Sequence, residues 1–424
     1  MIDTSPRRER AYLIGVLLPA ASEAAIASQM AELAELARTA GAEVVGQEIQ
    51  RRSAIEPGLF VGRGKVQELV QRQAETGFDI LICNEDLSPR QQRNLEAELK
   101  LRVVDRTELI LDIFAQHART REGRLQVESA QLHHLLPRLI GAWDYHRQGG
   151  GIGTRGGPGE QQIEVERRRI RRRLRDLDRE LDQVRSQRRQ QRAGRGRVPI
   201  PTVAIVGYTN AGKSTLLNRL TGAGVRAENL LFATLDPITR RLQLPSGREI
   251  VLTDTVGFIQ HLPTDLVAAF RATLEEVGSA DAVIEVVDAS SPDAAGHLRT
   301  VEEVLGELGA GDKPRLTVLN KIDLLGSSGA RRSVQALSPP ASPTVTVSAA
   351  TGAGMEGLLE ALDQLPIRPM TEMELLVPYG QERILSQLRE VGGIDRTEFT
   401  ESGTRAWARA PRESVHRFRR YLVT

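Results

Sequence analysis

The sequence predicts an α/β protein whose centre is an open parallel sheet, and two patterns carry this prediction. In the central part of the chain, four apolar segments of strand length each end in a polar or glycine-rich turn, at residues 202–206, 249–253, 316–319 and 345–347. Nearer the start, strand and helix patterns alternate from residue 11 to residue 117. Such alternation favours parallel strands joined by helices, and polar strand ends favour a ligand site along the carboxyl edge of the sheet.

The first alternating region predicts a small parallel α/β domain. Ser88 and Thr107 have the residue types of helix starts. Within this region, residues 59–61 lead into Gly62-Arg-Gly-Lys65, which resembles an anion-binding strand–turn–helix, with an ordinary βα turn as the alternative. The predicted strands are 11–18, 43–47, 79–83 and 101–104, and the predicted helices are 23–39, 65–76, 89–99 and 107–116.

The turn after the first central strand has the composition of a phosphate-binding loop. Residues 207–214 have the sequence Gly-Tyr-Thr-Asn-Ala-Gly-Lys-Ser and precede an apolar helix pattern. Such a loop turns backbone N–H groups toward a polyphosphate, and the helix start adds partial positive charge. Lys213 is the predicted ligand of the β- and γ-phosphates, and the Ser214 hydroxyl is predicted to bind Mg²⁺. The predicted contacts are Gly207, Tyr208, Thr209, Asn210, Ala211, Gly212, Lys213, Ser214 and Thr215.

Two further segments complete the predicted phosphate and metal site. Asp254 ends the second strand, where its carboxylate is predicted to hold Mg²⁺ through water, and the N–H of Gly257 is predicted to face the γ-phosphate. In the loop between the glycine-rich turn and Asp254, Thr234 is the predicted ligand of Mg²⁺ and the γ-phosphate, with Thr239 as the alternative. A loop that orders here would couple nucleotide state to shape. The predicted contacts are Phe232, Ala233, Thr234, Asp254, Thr255, Val256 and Gly257, and the predicted catalytic residues are Lys213, Thr234 and Gly257.

The third and fourth strand ends predict which base is bound. The Asp323 carboxylate in Asn320-Lys-Ile-Asp323 can accept two hydrogen bonds from guanine, whereas adenine would leave it unpaired at a cost of roughly 1–3 kcal/mol. Asn320 is predicted to support the loop and the purine edge, and Lys321 to lie along the base plane. Backbone N–H groups of Ser348, Ala349 and Ala350 are predicted to reach the guanine oxygen. The sequence therefore predicts a GTP/GDP site with bound Mg²⁺.

One residue of this site leads us to expect slow GTP hydrolysis. Phe258 follows Gly257 at the position where many nucleotide switches place a glutamine that orients water, and phenylalanine cannot do so. Asn210 offers a possible ligand for K⁺ beside the phosphates, and a purely structural role in the loop is the alternative.

Residues 122–197 predict a helical hairpin with an arginine-rich second helix. Apolar residues of that helix, from Ile163 to Val184, recur at heptad-like steps, so two antiparallel helices would form a coiled arm with a glycine-rich tip. Arginine binds phosphate in bidentate fashion, which favours an RNA partner, although a solvated arginine face is the alternative. The candidate RNA-binding residues are Arg147, Gly150, Gly151, Gly153, Arg155, Arg169, Arg172 and Arg173.

Length and composition limit the number of domains, the distribution of charge and the cellular location that can be expected. With 424 residues the chain predicts several domains, and net charge is only +2, so the basic helix is a local feature. No segment approaches the ~20 apolar residues of a membrane span, and no signal peptide is predicted. The single cysteine, Cys83, cannot form an internal disulfide, which favours a reducing cytoplasm. We expect a monomer when the protein is free.

Taken together, these segments resemble the HflX family of translational GTPases. The resemblance covers most of the chain and is carried by 207–214, 232–237, 254–259 and 287–292, and by the glycine-rich 150–160 before an arginine-rich helix. Departures from the family pattern are a second glycine before Pro158, together with Gln161 and Ile238; the first two leave the contacts of the loop tip open. The predicted domains are an α/β subdomain at 1–120, the arm at 121–197, a P-loop GTPase domain at 198–367 and a small α+β domain at 368–424.

The resemblance implies a GTPase that binds the large ribosomal subunit and acts in ribosome splitting, rescue or recycling. Two alternatives remain open from the residues themselves. One is an ATP-dependent RNA remodeller that uses the N-terminal domain around Lys65, and the other is a GTP-regulated scaffold whose arm binds a protein.

Overall fold

Two compact units make up the chain. The computed structural model describes residues 8–147, 158–193, 200–222, 231–232, 235–259, 276–326, 337, 342–367 and 370–423. The first unit contains Met1–Leu181, Glu228–Asp236 and Gln260–Arg271; the second contains Asp182–Ala227, Pro237–Ile259 and Ala272–Thr424. Among the described helices, none has the length and apolar character needed to cross a membrane.

A four-stranded parallel sheet forms the centre of the first unit, as predicted. Its strand order is β2-β1-β3-β4, with the buried β1 between β2 and β3. The second strand is longer than predicted because it pairs with β1 along its whole length, from Arg10↔Glu43 to Leu17↔Arg51. The strands are β1 Arg10–Leu17, β2 Glu43–Arg51, β3 Ile80–Cys83 and β4 Arg102–Val104.

Side-chain caps fix the starts of the helices in this unit. The Ser88 hydroxyl accepts from the N–H of Gln91 in a capping box, as its residue type predicts. The predicted start at Thr107 is wrong by one residue, because the Asp105 carboxylate accepts from the N–H of Glu108 and caps a helix that begins at Arg106. The helices are α1 Glu23–Thr39, α2 Arg63–Thr76, α3 Pro89–Leu99 and α4 Arg106–His117.

The turn before α2 differs from the predicted strand–turn–helix. Residues 59–61 do not form a strand; Phe60 makes an isolated antiparallel bridge with Glu56 and has a left-handed backbone with φ of +64°. Lys65 pairs with two carboxylates, at 3.0 Å from Glu48 and in contact with Glu68. Because its charge is already compensated by acidic side chains, Lys65 is poorly suited to bind a phosphate. This arrangement disfavours a second nucleotide site.

Two long helices form the predicted hairpin. They are α5 Arg121–Arg147 and α6 Pro158–Ala193. The Arg173 guanidinium bonds the Glu128 carboxylate at 2.6 and 2.8 Å, and Arg121 lies 3.4 Å from Glu180. Positions nearer the start of one helix therefore pair with positions nearer the end of the other, which is the antiparallel register. On α6, Leu174, Leu177 and Leu181 of the predicted repeat are buried, and on α5 the buried apolar residues include Leu125, Val127 and Ala130.

A six-stranded sheet organises the second unit. Its order is β10-β9-β8-β5-β7-β6, and every pairing is parallel except that of the edge strand β6 with β7. This is the open α/β sheet that the polar strand ends predict. The strands are β5 Thr202–Gly207, β6 Ile238–Gln243, β7 Glu249–Asp254, β8 Ala282–Asp288, β9 Arg315–Asn320 and β10 Thr344–Thr346, and the helices are α7 Lys213–Thr221, α8 Ala294–Glu307 and α9 Met355–Gln364.

The central strand β8 carries a fully buried carboxyl group, Glu285. Burial raises the pKa of Glu285 from its usual 4.5 to about 7, and the Arg315 guanidinium, 3.5 Å away, opposes this rise only in part. Because the folded protein holds this proton more tightly than the unfolded chain, the neutral group favours folding at low pH. That contribution is lost as the pH rises through about 7.

Glu285→Gln is therefore expected to raise the free energy of unfolding by about 2 kcal/mol near pH 8 and to change little near pH 5. The amide resembles the neutral acid in shape and removes the cost of an ionised buried group. Urea unfolding at the two pH values measures the effect. The exposed Glu303→Gln on α8 is the matched control, and an equal effect of Glu285→Gln at both pH values would contradict the interpretation.

A small antiparallel sheet lies near the end of the chain. Its order is β11-β13-β12, and a helix packs on one face, where Leu375, Leu388, Ala406 and Phe418 are buried. The last helical segment of this domain is a 3₁₀ helix. The elements are β11 Met370–Val377, α10 Arg383–Val391, β12 Gly393–Thr400, β13 Gly403–Pro411 and a 3₁₀ helix Arg412–Tyr421.

Candidate nucleotide-binding site

The glycine-rich turn joins β5 to α7, and its lysine is fully enclosed. Gly212 precedes the first helical residue, Lys213, whose ammonium donates to the carbonyl oxygens of Gly207 at 3.1 Å and Tyr208 at 2.9 Å. Burial lowers the pKa of Lys213 to about 8, although the nearby Asp254 carboxylate opposes this. A polyphosphate placed in the turn would supply the negative charge that a buried ammonium requires.

The two described residues predicted to hold Mg²⁺ lie in contact. The Ser214 hydroxyl donates to Oδ2 of Asp254 at 2.6 Å, and Asp254 is completely buried at the end of β7. A hydroxyl and a carboxylate are the hard oxygen ligands that Mg²⁺ requires, so this pair fits the ion. Thr255 is also buried and fixes the strand end by donating to the carbonyl of Ile205 at 2.8 Å.

The segment after Asp254 lies directly against the glycine-rich turn. The N–H of Phe258 donates to the carbonyl of Gly207 at 3.1 Å, and the carbonyl of Phe258 accepts from Thr209 at 2.7 Å. A Cβ at Gly257 would lie 2.8 Å from Thr209 and 3.0 Å from the Lys213 ammonium, so only glycine fits there. The Phe258 side chain is buried, with 1% exposed, which agrees with the expectation that it does not orient water.

Asn320 connects three parts of the site. Its amide nitrogen donates to the carbonyl of Ala211 at 2.8 Å, and its amide oxygen accepts from the N–H of Ala349 at 3.0 Å. One buried side chain therefore joins the glycine-rich turn to the turn at 348–350. Arg219, which the sequence patterns did not indicate, holds the second turn by donating to the carbonyl oxygens of Ala349 at 3.1 Å and Ala350.

Asp288 holds the lysine of the predicted base-binding segment. Its Oδ2 lies 2.8 Å from the Lys321 ammonium, while Oδ1 accepts from the N–H of Ser290 at 3.0 Å. Segment 287–292 appeared in the sequence only as part of a resemblance, and its position after a strand was the available signal for this role. Asp323 follows in the 3₁₀ helix Ile322–Leu324, where its side chain is exposed.

Most predicted nucleotide contacts therefore converge at the carboxyl edge of the second sheet. Of the others on the glycine-rich turn, Asn210 is exposed with φ of +59°, and Tyr208 stacks on His297 with ring centroids 3.8 Å apart. Thr215 lies in the first turn of α7, and Val256 is buried. Phe232 belongs to the first compact unit, and Ala233 and Thr234 lie outside the described residues. The alternative, Thr239, is on β6, 3.5 Å from the Thr253 hydroxyl.

The candidate RNA-binding residues fall on the helical hairpin. Arg169 and Arg172 are exposed on α6, whereas Arg173 is engaged with Glu128 and with Glu180 at 3.2 Å. Arg147 is the last residue of α5. The tip residues Gly150, Gly151, Gly153 and Arg155 lie outside the described residues.

Three features at the edge of this sheet define a P-loop GTPase. They are an enclosed lysine, a Ser–Asp pair at the metal position and an Asn-Lys-x-Asp segment at the base position. Comparisons with known proteins agree. Three family models match the chain: a GTP-binding GTPase N-terminal region at 27–115, a GTP-binding GTPase middle region at 117–195 and a 50S ribosome-binding GTPase at 202–321.

Curated relatives identify the family. The GTPase HflX of Caldanaerobacter subterraneus subsp. tengcongensis is 45% identical over 98% of this chain and 94% of its own, and that of Magnetococcus marinus is 47% identical over 93% and 90%. A GTP-binding protein of Sulfolobus solfataricus in complex with GDP aligns with 84% of this chain and 98% of its own at 27% identity, with a TM-score of 0.44. The chain belongs to the HflX family of GTPases and is a GTP hydrolase.

Proposed function

We propose that this GTPase binds the large ribosomal subunit in a GTP-dependent manner and acts in ribosome splitting, rescue or recycling. The observation that carries the proposal is the pairing of a GTPase domain, which matches a family model described as 50S ribosome-binding, with a helical arm that exposes Arg169 and Arg172. Exposed arginines on a helix favour contact with RNA phosphates. We place the protein in the cytoplasm as a monomer when it is free.

The proposed hydrolysis uses the phosphate and metal ligands that the sequence predicts. Ser214 and Thr234 would bind Mg²⁺ directly and Asp254 through water, and the ion would neutralise charge on the β- and γ-phosphates. Lys213 and the N–H of Gly257 would stabilise the charge that develops on the γ-phosphoryl group. Since Phe258 is buried against the glycine-rich turn, hydrolysis is expected to be slow until another group positions water.

A monovalent ion is one candidate for the missing contribution. Asn210 is exposed on the glycine-rich turn, where its side-chain oxygen is available to bind K⁺ beside the phosphates. Hydrolysis is expected to be several-fold faster in KCl than in NaCl at equal ionic strength, and Asn210→Ala should remove the difference. Equal turnover by the unaltered protein in the two salts would contradict a role for K⁺.

Co-sedimentation with purified large subunits tests the ribosomal proposal. Binding should be stronger with a non-hydrolysable GTP analogue than with GDP, and deletion of residues 147–160 should remove most of it. The double substitution Arg169→Ala with Arg172→Ala should weaken binding. It should also make affinity less dependent on salt, reducing the magnitude of the slope of log affinity against log salt by about 1 for each RNA phosphate that the arm no longer neutralises. Large subunits should also accelerate GTP hydrolysis.

The matched control removes two exposed arginines elsewhere, by Arg63→Ala with Arg90→Ala. This variant has the same change in net charge and should bind as the unaltered protein does. Absence of both nucleotide-dependent binding and stimulated hydrolysis would overturn the proposal. Binding to another protein that does not depend on salt would instead favour the scaffold alternative.

A further inference from the structure

The Tyr208 ring of the glycine-rich turn stacks on the imidazole of His297, which lies in the first turn of α8. The ring centroids are 3.8 Å apart, and the two ring planes are inclined by only 10°. Tyr208 is 5% exposed, and both residues belong to the second compact unit. The stack therefore joins the start of a helix to the phosphate end of the candidate site.

Both peptide groups that flank Tyr208 contact the predicted phosphate ligand Lys213. The carbonyl of Gly207 accepts from the Lys213 ammonium at 3.1 Å, and the carbonyl of Tyr208 accepts from it at 2.9 Å. The Cα of Tyr208 lies between these two carbonyls, so its two backbone angles set their relative orientation. The position of the ammonium therefore depends on the conformation of one residue.

The same two peptide groups hold the segment that carries Gly257. The carbonyl of Gly207 also accepts from the N–H of Phe258 at 3.1 Å, and the N–H of Thr209 donates to the carbonyl of Phe258 at 2.7 Å. Phe258 directly follows Gly257, whose N–H is predicted to face the γ-phosphate. A shift of Tyr208 would therefore move both groups that are predicted to stabilise charge on the γ-phosphoryl group.

The Tyr208 ring gives this joint its contact with α8. Two flat rings in nearly parallel contact resist tilting, because tilt of either ring brings one edge into steric conflict with the other ring. An aliphatic side chain of similar size would cover the tyrosine without fixing its tilt. His297 is therefore suited to fix the orientation of Tyr208 as well as to pack against it.

The helix that carries His297 has a fixed position on the second sheet. Val301 and Leu305 of α8 are buried, which holds the helix against the strands. The chain enters α8 from Asp288, which ends β8 and lies 2.8 Å from the Lys321 ammonium. The segment from Asp288 to His297 thus contacts the predicted base-binding lysine through its first residue and the glycine-rich turn through its last.

We propose that His297 is a positioning residue for GTP hydrolysis. Its imidazole fixes the Tyr208 ring, and the backbone around Tyr208 places the Lys213 ammonium and the Gly257 segment. A misplacement of about 1 Å caused by a change remote from the chemistry can lower a rate about a hundredfold, and the loss falls mainly on interactions that strengthen in the transition state. The inference rests on the predicted phosphate contacts of Lys213 and Gly257, and it is independent of the ribosomal role.

Single-turnover hydrolysis of GTP and binding of GDP by the full-length protein test this inference. His297→Ala should lower the hydrolysis rate at saturating GTP by about tenfold and change the Kd for GDP by less than about threefold. His297→Phe, which keeps a flat ring, should retain at least about half of the rate. His297→Leu, which fills similar space without a flat ring, should resemble His297→Ala. A role in packing alone would make the Leu and Phe variants equally active.

Removal of Lys213 provides a second test. In a Lys213→Ala background, His297→Ala should lower the hydrolysis rate by no more than about threefold, because one of the groups that it positions is absent. Thermal unfolding without nucleotide establishes that each variant is folded. A full tenfold loss in that background would show that His297 does not act through Lys213, and it would overturn the inference.

Arg299→Ala is the matched control, because Arg299 is exposed on the same helix. It should leave the hydrolysis rate and the binding of GDP unchanged. A folded His297→Ala protein that hydrolyses GTP at the unaltered rate, or a His297→Leu protein as active as His297→Phe, would overturn the inference. Retained hydrolysis in Lys213→Ala would overturn the phosphate assignment together with this inference, whereas failure to bind large subunits would overturn only the proposed function.

Discussion

Lys213→Ala is expected to reduce kcat/KM for GTP hydrolysis by at least about a thousandfold. The ammonium is buried and donates to the carbonyl oxygens of Gly207 and Tyr208, so it is held at the glycine-rich turn where the phosphates are expected. Loss of this charge removes stabilisation from both the bound nucleotide and the transferring phosphoryl group. Phosphate release under saturating and limiting GTP separates the two contributions.

Thermal unfolding distinguishes this chemical loss from misfolding. In the absence of nucleotide, Lys213→Ala should unfold at nearly the same temperature as the unaltered protein, because burial of the ammonium is itself unfavourable, as its lowered pKa indicates. The stabilisation that GTP gives, about 3 kcal/mol at a hundredfold excess over Kd, should disappear. Retained stabilisation by GTP would contradict the assigned role.

The chain supplies a matched lysine in Lys65, which also follows closely spaced glycines. Lys65→Ala should leave GTP hydrolysis unchanged and lower stability modestly, because Glu48 loses a partner at 3.0 Å while keeping its hydrogen bond from Tyr12 at 2.7 Å. ATP hydrolysis that survives Lys213→Ala and vanishes in Lys65→Ala would revive the alternative of an RNA remodeller.

The parts of the candidate nucleotide site could be proposed from short segments, because the residues of each part are local in sequence. Lys213 and Ser214 are adjacent, and a strand followed by a glycine-rich turn determines their environment from within about a dozen residues. The same holds for Asp254 and for Asn320, whose strands end at the same edge of the sheet. Such a sequence pattern adopts a similar local structure in different folds, so the local structure can be predicted without knowledge of the whole fold.

Contacts between distant segments could not be predicted in this way. The sequence does not indicate the partners of Arg219, Asp288 and Asp236. In the folded chain these residues contact the carbonyls of Ala349 and Ala350, the Lys321 ammonium, and the N–H groups of Arg119 and Thr120 just before α5. The resemblance of residues 59–65 to a strand–turn–helix fails for a similar reason, since the left-handed backbone of Phe60 interrupts a segment whose side chains favour strand. Tertiary packing overrides local propensity at such positions.

Asp323→Asn is expected to weaken GTP binding by about a hundredfold or more and to create preference for xanthine nucleotides. A carboxylate accepts the two guanine donors, whereas an amide offers one acceptor and one donor group. Xanthine replaces the exocyclic amine of guanine with a carbonyl oxygen that can accept from this new donor. Competition titrations with GTP and XTP measure the exchange of preference directly.

Asp288→Asn separates base selection from positioning of the neighbouring lysine. This change removes the charge that lies 2.8 Å from the Lys321 ammonium and leaves Asp323 in place. It should weaken the binding of GTP and XTP to similar extents, because Lys321 is predicted to lie along either purine, and it should not reverse the preference. If Asp288→Asn favoured xanthine, base selection would have to be reassigned.

The exposure of Asp323 makes its substitution a clean test of chemistry. Because the side chain is exposed on a short 3₁₀ helix, Asp323→Asn should leave the unfolding temperature without nucleotide unchanged. A change in preference at constant stability can then arise only from the pairing of the side chain with the base. An Asp323→Asn protein that is folded and still prefers guanine would show that the carboxylate does not select the base, and the guanine specificity of this site would need another source.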